Sequence, residues 1–395
     1  MPPVTGVFLI HGLTGSPTEM APLGKALQRA GYPVAIPLIA GHGAGHKTLL
    51  ATTWQDWLAG LRHDLRQLAQ ACDEVVVAGL CVGGMLGALL AAEEDKVRGV
   101  VSLSPDLNFR IPGPMMPWTR FLLPIALHVP WLRRHGYWEQ KPPYGIKNPR
   151  LQQRIARAIA ASVEGQTQEY GTFRTYVGTI RELNRLREKV VQNLPRVRCP
   201  VLLMHSFEDS MFSIRNVTVM YAKLGSMKNQ VQLITDCDHV ITVDLRREEV
   251  ARRVKRFIAG LEGALVQEDV CDEDFYACQI SSPDDDPANP QQPKRHDLLV
   301  TKGNTVQLRL SLVEDPGSVQ AQASRRNGEL TTEWRLAQAA IDALAFGLKT
   351  QLAVQIKDTS QIAPPEHRVS APSVSGAVAV GIPTRSHQPS LSTKK

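Results

Sequence analysis

Cys81 stands in Gly79-Leu80-Cys81-Val82-Gly83, directly after the apolar run Val75-Val76-Val77-Ala78 and before a stretch of small, helix-forming residues. This is the pattern of a nucleophile held on a sharp strand-to-helix turn, with cysteine where serine is usual. The flanking glycines keep side chains from colliding with the neighbouring strand and helix. The helix N-terminus favours negative charge, so a thiol here is expected to lose its proton more readily than a free one. Two further segments supply the partners such a nucleophile needs. His205-Ser206-Phe207-Glu208-Asp209 follows one apolar run, and Asp238-His239-Val240 follows another. Cys81, Asp209 and His239 stand in the chain order nucleophile, acid, base. The chemistry is attack of a thiolate on an acyl carbonyl, with His239 as base and Asp209 orienting it. The turn His11-Gly12-Leu13-Thr14-Gly15 then places the Leu13 N–H, with that of Val82, as expected donors to the developing oxyanion.

Each residue also has a plainer reading. Cysteine is a common small core residue, and glycine-rich strand-to-helix turns also bind phosphate. A single histidine is usually a satisfied surface group. Glu208 and Asp236 are alternative acids to Asp209. His11 reads as a structural loop residue. Gly41-His42-Gly43 reads as a turn, since His42 and His46 lack a carboxylate or a third histidine at metal-binding spacing. The basic stretch Arg181 to Lys189 reads as a solvated helix face. No G-x-G-x-x-G opens a helix and no G-x-x-x-x-G-K-[ST] is present, so no cofactor and no metal are predicted.

The elements that must position these residues alternate in type. Val7–Ile10, Val34–Ile36, Val75–Ala78 and Val97–Leu103 read as buried strands. Ser16 with Glu19 makes a capping box around Pro17. Trp54–Ala71 and Val82–Ala92 read as helices. The rhythm resumes at Val201–Met204, with a helix near Ser213–Leu224, a last strand at Val231–Ile234 and a closing helix at Arg246–Leu261. Repeated strand–helix units predict a doubly wound, mostly parallel α/β sheet. The break over 105–195, with helical patterns at Leu151–Ser162 and Thr172–Gln192, reads as an inserted helical cap. The core is therefore 1–104 and 196–265. Residues 266–395 form a C-terminal extension, largely disordered or of unknown fold, with a strand pattern over Thr305–Val313 and a helix pattern over Thr331–Val354. From Asp358 its composition is that of a disordered tail.

Charge divides along the same line. Residues 266–395 hold 16 acidic and 13 basic side chains, so of the net +7 the first 265 residues carry +10. That favours anionic surfaces or acidic carriers, without a nucleic-acid-binding motif. The six cysteines show no disulfide framework, and Cys271 and Cys278 lack partners for a zinc site. No secretory signal is evident, and Pro117, Pro124 and Pro130 interrupt the richest apolar stretch, Met115–Leu132. A cytoplasmic protein without a transmembrane segment is expected.

The pieces HGLTGSP at 11–17, Pro37 with Gly41–Gly43, Trp54 with Asp56 and Trp57, GLCVGG at 79–84, HSFED at 205–209 and Asp238-His239 together resemble the small bacterial carboxylesterases and monoacylglycerol lipases of the α/β-hydrolase superfamily. The resemblance spans residues 4–262. It implies the α/β-hydrolase fold, a cap over the active site and an ester or other acyl substrate. The family normally has serine at position 81; cysteine there resembles dienelactone hydrolases and polyhydroxyalkanoate synthases. The segment between Cys81 and Asp209 is also longer than in the compact esterases, so cap and substrate preference do not carry over. Hydrolysis of carboxylic esters or thioesters is the first expectation. Acyl transfer from a CoA or carrier thioester is the second, and a degenerate hydrolase kept as a binding protein the third. Trp118, Phe121 and Trp131 lie in an apolar cap stretch that predicts an apolar substrate pocket. Packing of the cap on the core is the reading preferred there over peripheral membrane contact.

Overall fold

The computed structural model describes residues 3–107, 125–162, 166–167, 169–226, 228–263, 276–281, 295–302, 305–314, 332–348, 352–356 and 378–380. Six parallel strands make the centre of the sheet: β1 (Thr5–Ile10), β2 (Val34–Ala35), β3 (Glu74–Leu80), β4 (Val97–Leu103), β5 (Val201–Ser206) and β6 (Asn229–Ile234). Their spatial order is 2-1-3-4-5-6. The chain runs from β1 out to the edge and crosses back, so the order reverses between β1 and β3, where such sheets open a crevice. The register aligns Ile10 with Gly79, Leu80 with Leu103, Leu103 with Met204, and Ser206 with Ile234. The strands therefore end along one rim, and His11, Cys81, Asp106, Asp209 and His239 all follow strand ends there.

Local sequence explains why these segments fold as they do. Val75-Val76-Val77 and Val7-Phe8-Leu9-Ile10 are buried on both faces, as strands covered by helices on each side must be. Helices α1 (Ala21–Arg29), α2 (His46–Ala51), α3 (Trp54–Leu68) and α4 (Val82–Glu93) cover them. Thr53 starts α3 with a reciprocal cap: its Oγ1 accepts from Asp56 N, and the Asp56 carboxylate accepts from Thr53 N at 2.8 Å. α4 is apolar on all sides and buried from Val82 to Leu90, as a central helix must be.

Ser16 caps the turn Pro17–Glu19 by accepting from Thr18 N, but the expected capping box does not close. The Glu19 carboxyl turns instead to Gly12 N. The cause is length: the segment is a single 3₁₀ turn before α1 begins.

Within the insertion, α5 (Pro130–His135), α6 (Pro149–Ala160) and α7 (Val177–Asn193) are joined by two short ribbons, Tyr137–Glu139 with Arg174–Tyr176 and Gln166–Thr167 with Gly171–Thr172. Sequence reading did not anticipate the ribbons, since each strand is held by a partner up to 39 positions away rather than by its own pattern. Arg187 corrects a second expectation. It lies on α7, in the stretch read as a solvated face, yet it is 2% exposed and paired with Asp106.

The strand Val231–Ile234 does not end the sheet. After α8 (Arg215–Lys223) and α9 (Arg247–Leu261), β7 (Tyr276–Ser281) pairs antiparallel with β6. β8 (Arg295–Lys302), β9 (Thr305–Glu314), β10 (Leu352–Ile356) and β11 (Val378–Val380) continue outward, all antiparallel. α10 (Thr332–Leu348) packs on α8, where Thr218 Oγ1 donates to Ala343 O at 2.6 Å. The helix predicted over Thr331–Val354 thus stops at Leu348, and its last residues pair in β10. Beyond Asp358 only β11 is among the described residues.

Candidate active site

Cys81 occupies the junction of β3 and α4 with φ 54° and ψ −113°, a conformation that L side chains rarely adopt. The surroundings over-determine this bend. Cys81 N–H donates to Leu103 O at 2.7 Å. A Cβ at Gly79 would overlap the backbone of Gly83 and Gly84, and one at Gly83 would overlap the carbonyl oxygens of Ile10 and His11. Strain of this kind costs on the order of 1–3 kcal/mol and persists where packing enforces it. The product is a thiol raised on the rim, within side-chain hydrogen-bonding reach of the His239 imidazole.

His239 is 4% exposed and held from several directions. Its Nδ1 lies 2.8 Å from Asp209 Oδ2, which leaves Nε2 for the thiol. Its backbone N–H donates to Asp238 Oδ1 at 2.8 Å, and the Phe212 ring packs against the imidazole. On the cap side, Val240 N–H donates to Gly145 O at 2.8 Å. Asp209 is fixed in turn: its Oδ1 accepts from Met211 N and Phe212 N at 2.8 and 2.7 Å, and His205 Nε2 lies 3.4 Å from Oδ2. The alternative acids are engaged elsewhere, Glu208 with Lys147 and Asp236 with Arg246. Asp244 accepts from four backbone N–H groups, those of Lys147, Asn148, Asp238 and Leu245, and so ties the His239 loop to the cap.

The electrostatics differ from what the elbow alone predicts. Burial pushes the Cys81 thiol above its ordinary value; the hydrogen bond and charge of His239 and the Val82 N–H oppose this, while Asp106 reinforces it. The helix N-terminus does not overcome desolvation, so the proton needs an acceptor. For His239, burial works downward, but the Asp209 carboxylate and its hydrogen bond raise the imidazole well above its usual value. Burial likewise works to raise Asp209, yet the charges of His239 and His205 hold it below the ordinary carboxylate range.

Leu13 lies in a turn closed by Gly15 N–H donating to Gly12 O at 3.2 Å. Val82 is the first residue of α4, where the N–H has no intrahelical acceptor. His11 is wholly buried: Nδ1 bonds Gly12 O, Nε2 accepts from Ile39 N at 3.1 Å, and burial lowers its pKa to about 3. Its ring packs edge-on against His42, which packs against Trp57. Trp131 is 67% exposed and packs at a tilt against His135; Trp118 and Phe121 lie outside the described residues. Four neighbours of the site were missed as such by sequence reading. Glu19 reads as half of a capping box, the Asp106–Arg187 pair carries no local motif, and Asp244 follows His239 by five residues with no pattern to mark it.

A family model for serine aminopeptidase, S33, matches residues 2–246. A thermostable monoacylglycerol lipase of Bacillus sp. (strain H-257) is 26% identical over 65% of this chain and 92% of its own length. A carboxylesterase of Bacillus subtilis (strain 168) is 21% identical over 65% and 93%. A solved structure from work on two metagenome-derived lipolytic enzymes, LipS and LipT, superposes with a TM-score of 0.54 at 27% identity, covering 66% of this chain and 95% of that one. The monoacylglycerol lipase of Paleococcus ferrophilus, at 18% identity and TM-score 0.53 over 65% and 94%, shares the fold. With more than half of its length matched, and with a parallel sheet whose strand ends carry this rim of residues, the chain belongs to the S33 serine aminopeptidase family of α/β-hydrolases.

Proposed function

We propose that the protein hydrolyses carboxylic esters with apolar acyl groups through a covalent acyl-cysteine on Cys81. The observation that carries this reading is the linked geometry of Cys81, His239 and Asp209 on a strained turn, in a chain of this family. Its relatives include a monoacylglycerol lipase and a carboxylesterase, which supports an ester as substrate.

The Cys81 Sγ–H proton passes to His239 Nε2 as Sγ attacks the acyl carbonyl, and the carbonyl π electrons move onto oxygen. The N–H groups of Leu13 and Val82 bind that oxyanion. The oxyanion collapses, the carbon–oxygen bond to the alcohol breaks, and the imidazolium returns its proton to the leaving oxygen. Water then attacks the thioester with His239 again as base. The acid leaves and the thiol is restored. Asp209 stays ionised throughout and stabilises the imidazolium.

The test is incubation of purified protein with p-nitrophenyl esters of varied chain length and with acyl-CoA, followed by intact-mass analysis. Acid release with an acyl adduct on Cys81 supports the hydrolase. Product formed only with an added acceptor indicates a transferase. Neither adduct nor turnover overturns both.

A further inference from the structure

Glu19 lies nine positions past the end of β1 and outside the three groups assigned above, yet its carboxyl reaches the turn beside the nucleophile. Ser16 is extended, with φ −144° and ψ 167°, and the chain then closes the single turn Pro17–Glu19. That turn folds the Glu19 side chain back over residues 12–15. Glu19 Oε2 accepts from Gly12 N–H at 2.9 Å. A Cβ at Gly15 would overlap the Glu19 carboxyl, and a Cβ at Gly12 would sit 3.3 Å from Oε2 and 3.7 Å from Cys81 Cβ. Carboxyl, Gly12 and Cys81 are therefore in contiguous packing, with no side chain between them. The turn is also held by Gly15 N–H donating to Gly12 O at 3.2 Å and by Thr172 N–H donating to Thr14 O at 2.8 Å, and it contains Thr14 at φ 62°. A non-glycine residue at that angle needs outside support.

We propose that Glu19 is a positioning residue: it pins the Gly12–Gly15 turn against the nucleophile, and its charge acts on the thiol and on the oxyanion formed beside it. This rests on the reading of Cys81 as the nucleophile. The uncharged acid can accept from Gly12 N–H through its carbonyl oxygen as the carboxylate does, so the pin survives protonation. The charge does not. An ionised Glu19 sets a negative charge beside the place where the oxyanion and the thiolate form, and in a poorly solvated site that opposes both. Burial raises the Glu19 pKa to about 7, with the Gly12 N–H and the charge of His239 opposing. His239 is the charged group that acts on Glu19; Cys81 lies beyond Gly12, itself facing His239 and Asp106.

Two variants of the full chain separate pin from charge. Glu19→Gln keeps an acceptor for Gly12 N–H and cannot ionise. Glu19→Ala removes both. With p-nitrophenyl butyrate, Glu19→Ala should lower kcat by about 10–100-fold with KM changed by less than about 2-fold, as for one misplaced oxyanion donor. Glu19→Gln should match wild-type kcat at about pH 6 and exceed it above about pH 7.5, where the wild-type carboxyl is ionised. Rates of Cys81 alkylation by iodoacetamide give a readout that needs no turnover. Below about pH 6 wild type and Glu19→Gln should react alike; above about pH 7.5 the variant should react about 3–10-fold faster, because a carboxylate beside the thiol disfavours thiolate. Equal alkylation profiles across this range, or a Glu19→Gln enzyme as slow as Glu19→Ala at every pH, overturns the proposal. A wild type that turns over no ester but shows the alkylation difference supports the coupling of Glu19 to the thiol and overturns only the hydrolase reading.

Discussion

His239 Nδ1 lies 2.8 Å from Asp209 Oδ2, while Asp209 Oδ1 accepts from the N–H groups of Met211 and Phe212. One oxygen of the carboxylate is thus committed to its own loop and the other to the imidazole. This division orients the ring with Nδ1 toward the carboxylate, whose charge raises the imidazole well above its usual value.

Asp209→Asn should therefore do two things at once. It should lower kcat/KM for a p-nitrophenyl ester by about 10²–10⁴-fold, since the ring loses its orienting anion. It should also move the ascending limb of the pH–rate profile to lower pH. Asp209 is the main influence that holds the imidazole above its ordinary value, and without it only Cys81 opposes the lowering by burial. A limb that stays in place would remove Asp209 from its assigned role.

Cys81→Ala should abolish acyl labelling and lower kcat by about 10⁴-fold or more, whereas Cys81→Ser should retain a measurable fraction of esterase activity on the same elbow. Intact mass after exposure to a panel of acyl esters reads the first effect, and p-nitrophenol release the second. Labelling that persists in Cys81→Ala would place the nucleophile elsewhere.

Arg187 and Asp106 form a buried ion pair between the cap helix α7 and the end of β4, in which Arg187 Nε also donates to Asp106 O at 3.2 Å. Arg187→Met leaves Asp106 buried without its cation and should cost about 3–5 kcal/mol of stability, read as a lowered urea midpoint. Adding Asp106→Leu to that variant should recover most of the loss, since the uncompensated charge is then gone. An additive double variant would show that the two side chains do not act as a pair.

Two glycines should respond in opposite directions. Gly83→Ala drives a methyl into the carbonyl oxygens of Ile10 and His11, where backbone cannot yield cheaply, and should destabilise by about 3 kcal/mol or more. Gly260→Ala, in α9 with nothing within 4 Å of the new methyl, should stabilise by a few tenths to about 1 kcal/mol. Thermal melts of the two variants beside wild type check both.

The placement of Cys81, Asp209 and His239 at strand ends was legible in the sequence because it rests on local patterns. A buried strand is a short apolar run, and the turn that follows carries its own glycines. Thus β1, β3, β4, β5 and β6 and the segments holding Cys81, Asp209 and His239 could be placed from residue types alone, within a few residues at each boundary. What the tertiary structure decided is whatever depends on a distant partner. Glu19 reads as half of a capping box, yet its carboxyl goes to Gly12 because the turn after Ser16 is too short to use it locally. Arg187 reads as one cation on a basic helix, yet it is buried against Asp106, 81 positions earlier, which follows the end of β4. The elbow alone predicts an acidic thiol, whereas the desolvation that raises it comes from the packing of the whole rim. Sequence period reports which face of an element is apolar; it carries no term for the distance between charges brought together by folding, and that distance sets the electrostatics of this site.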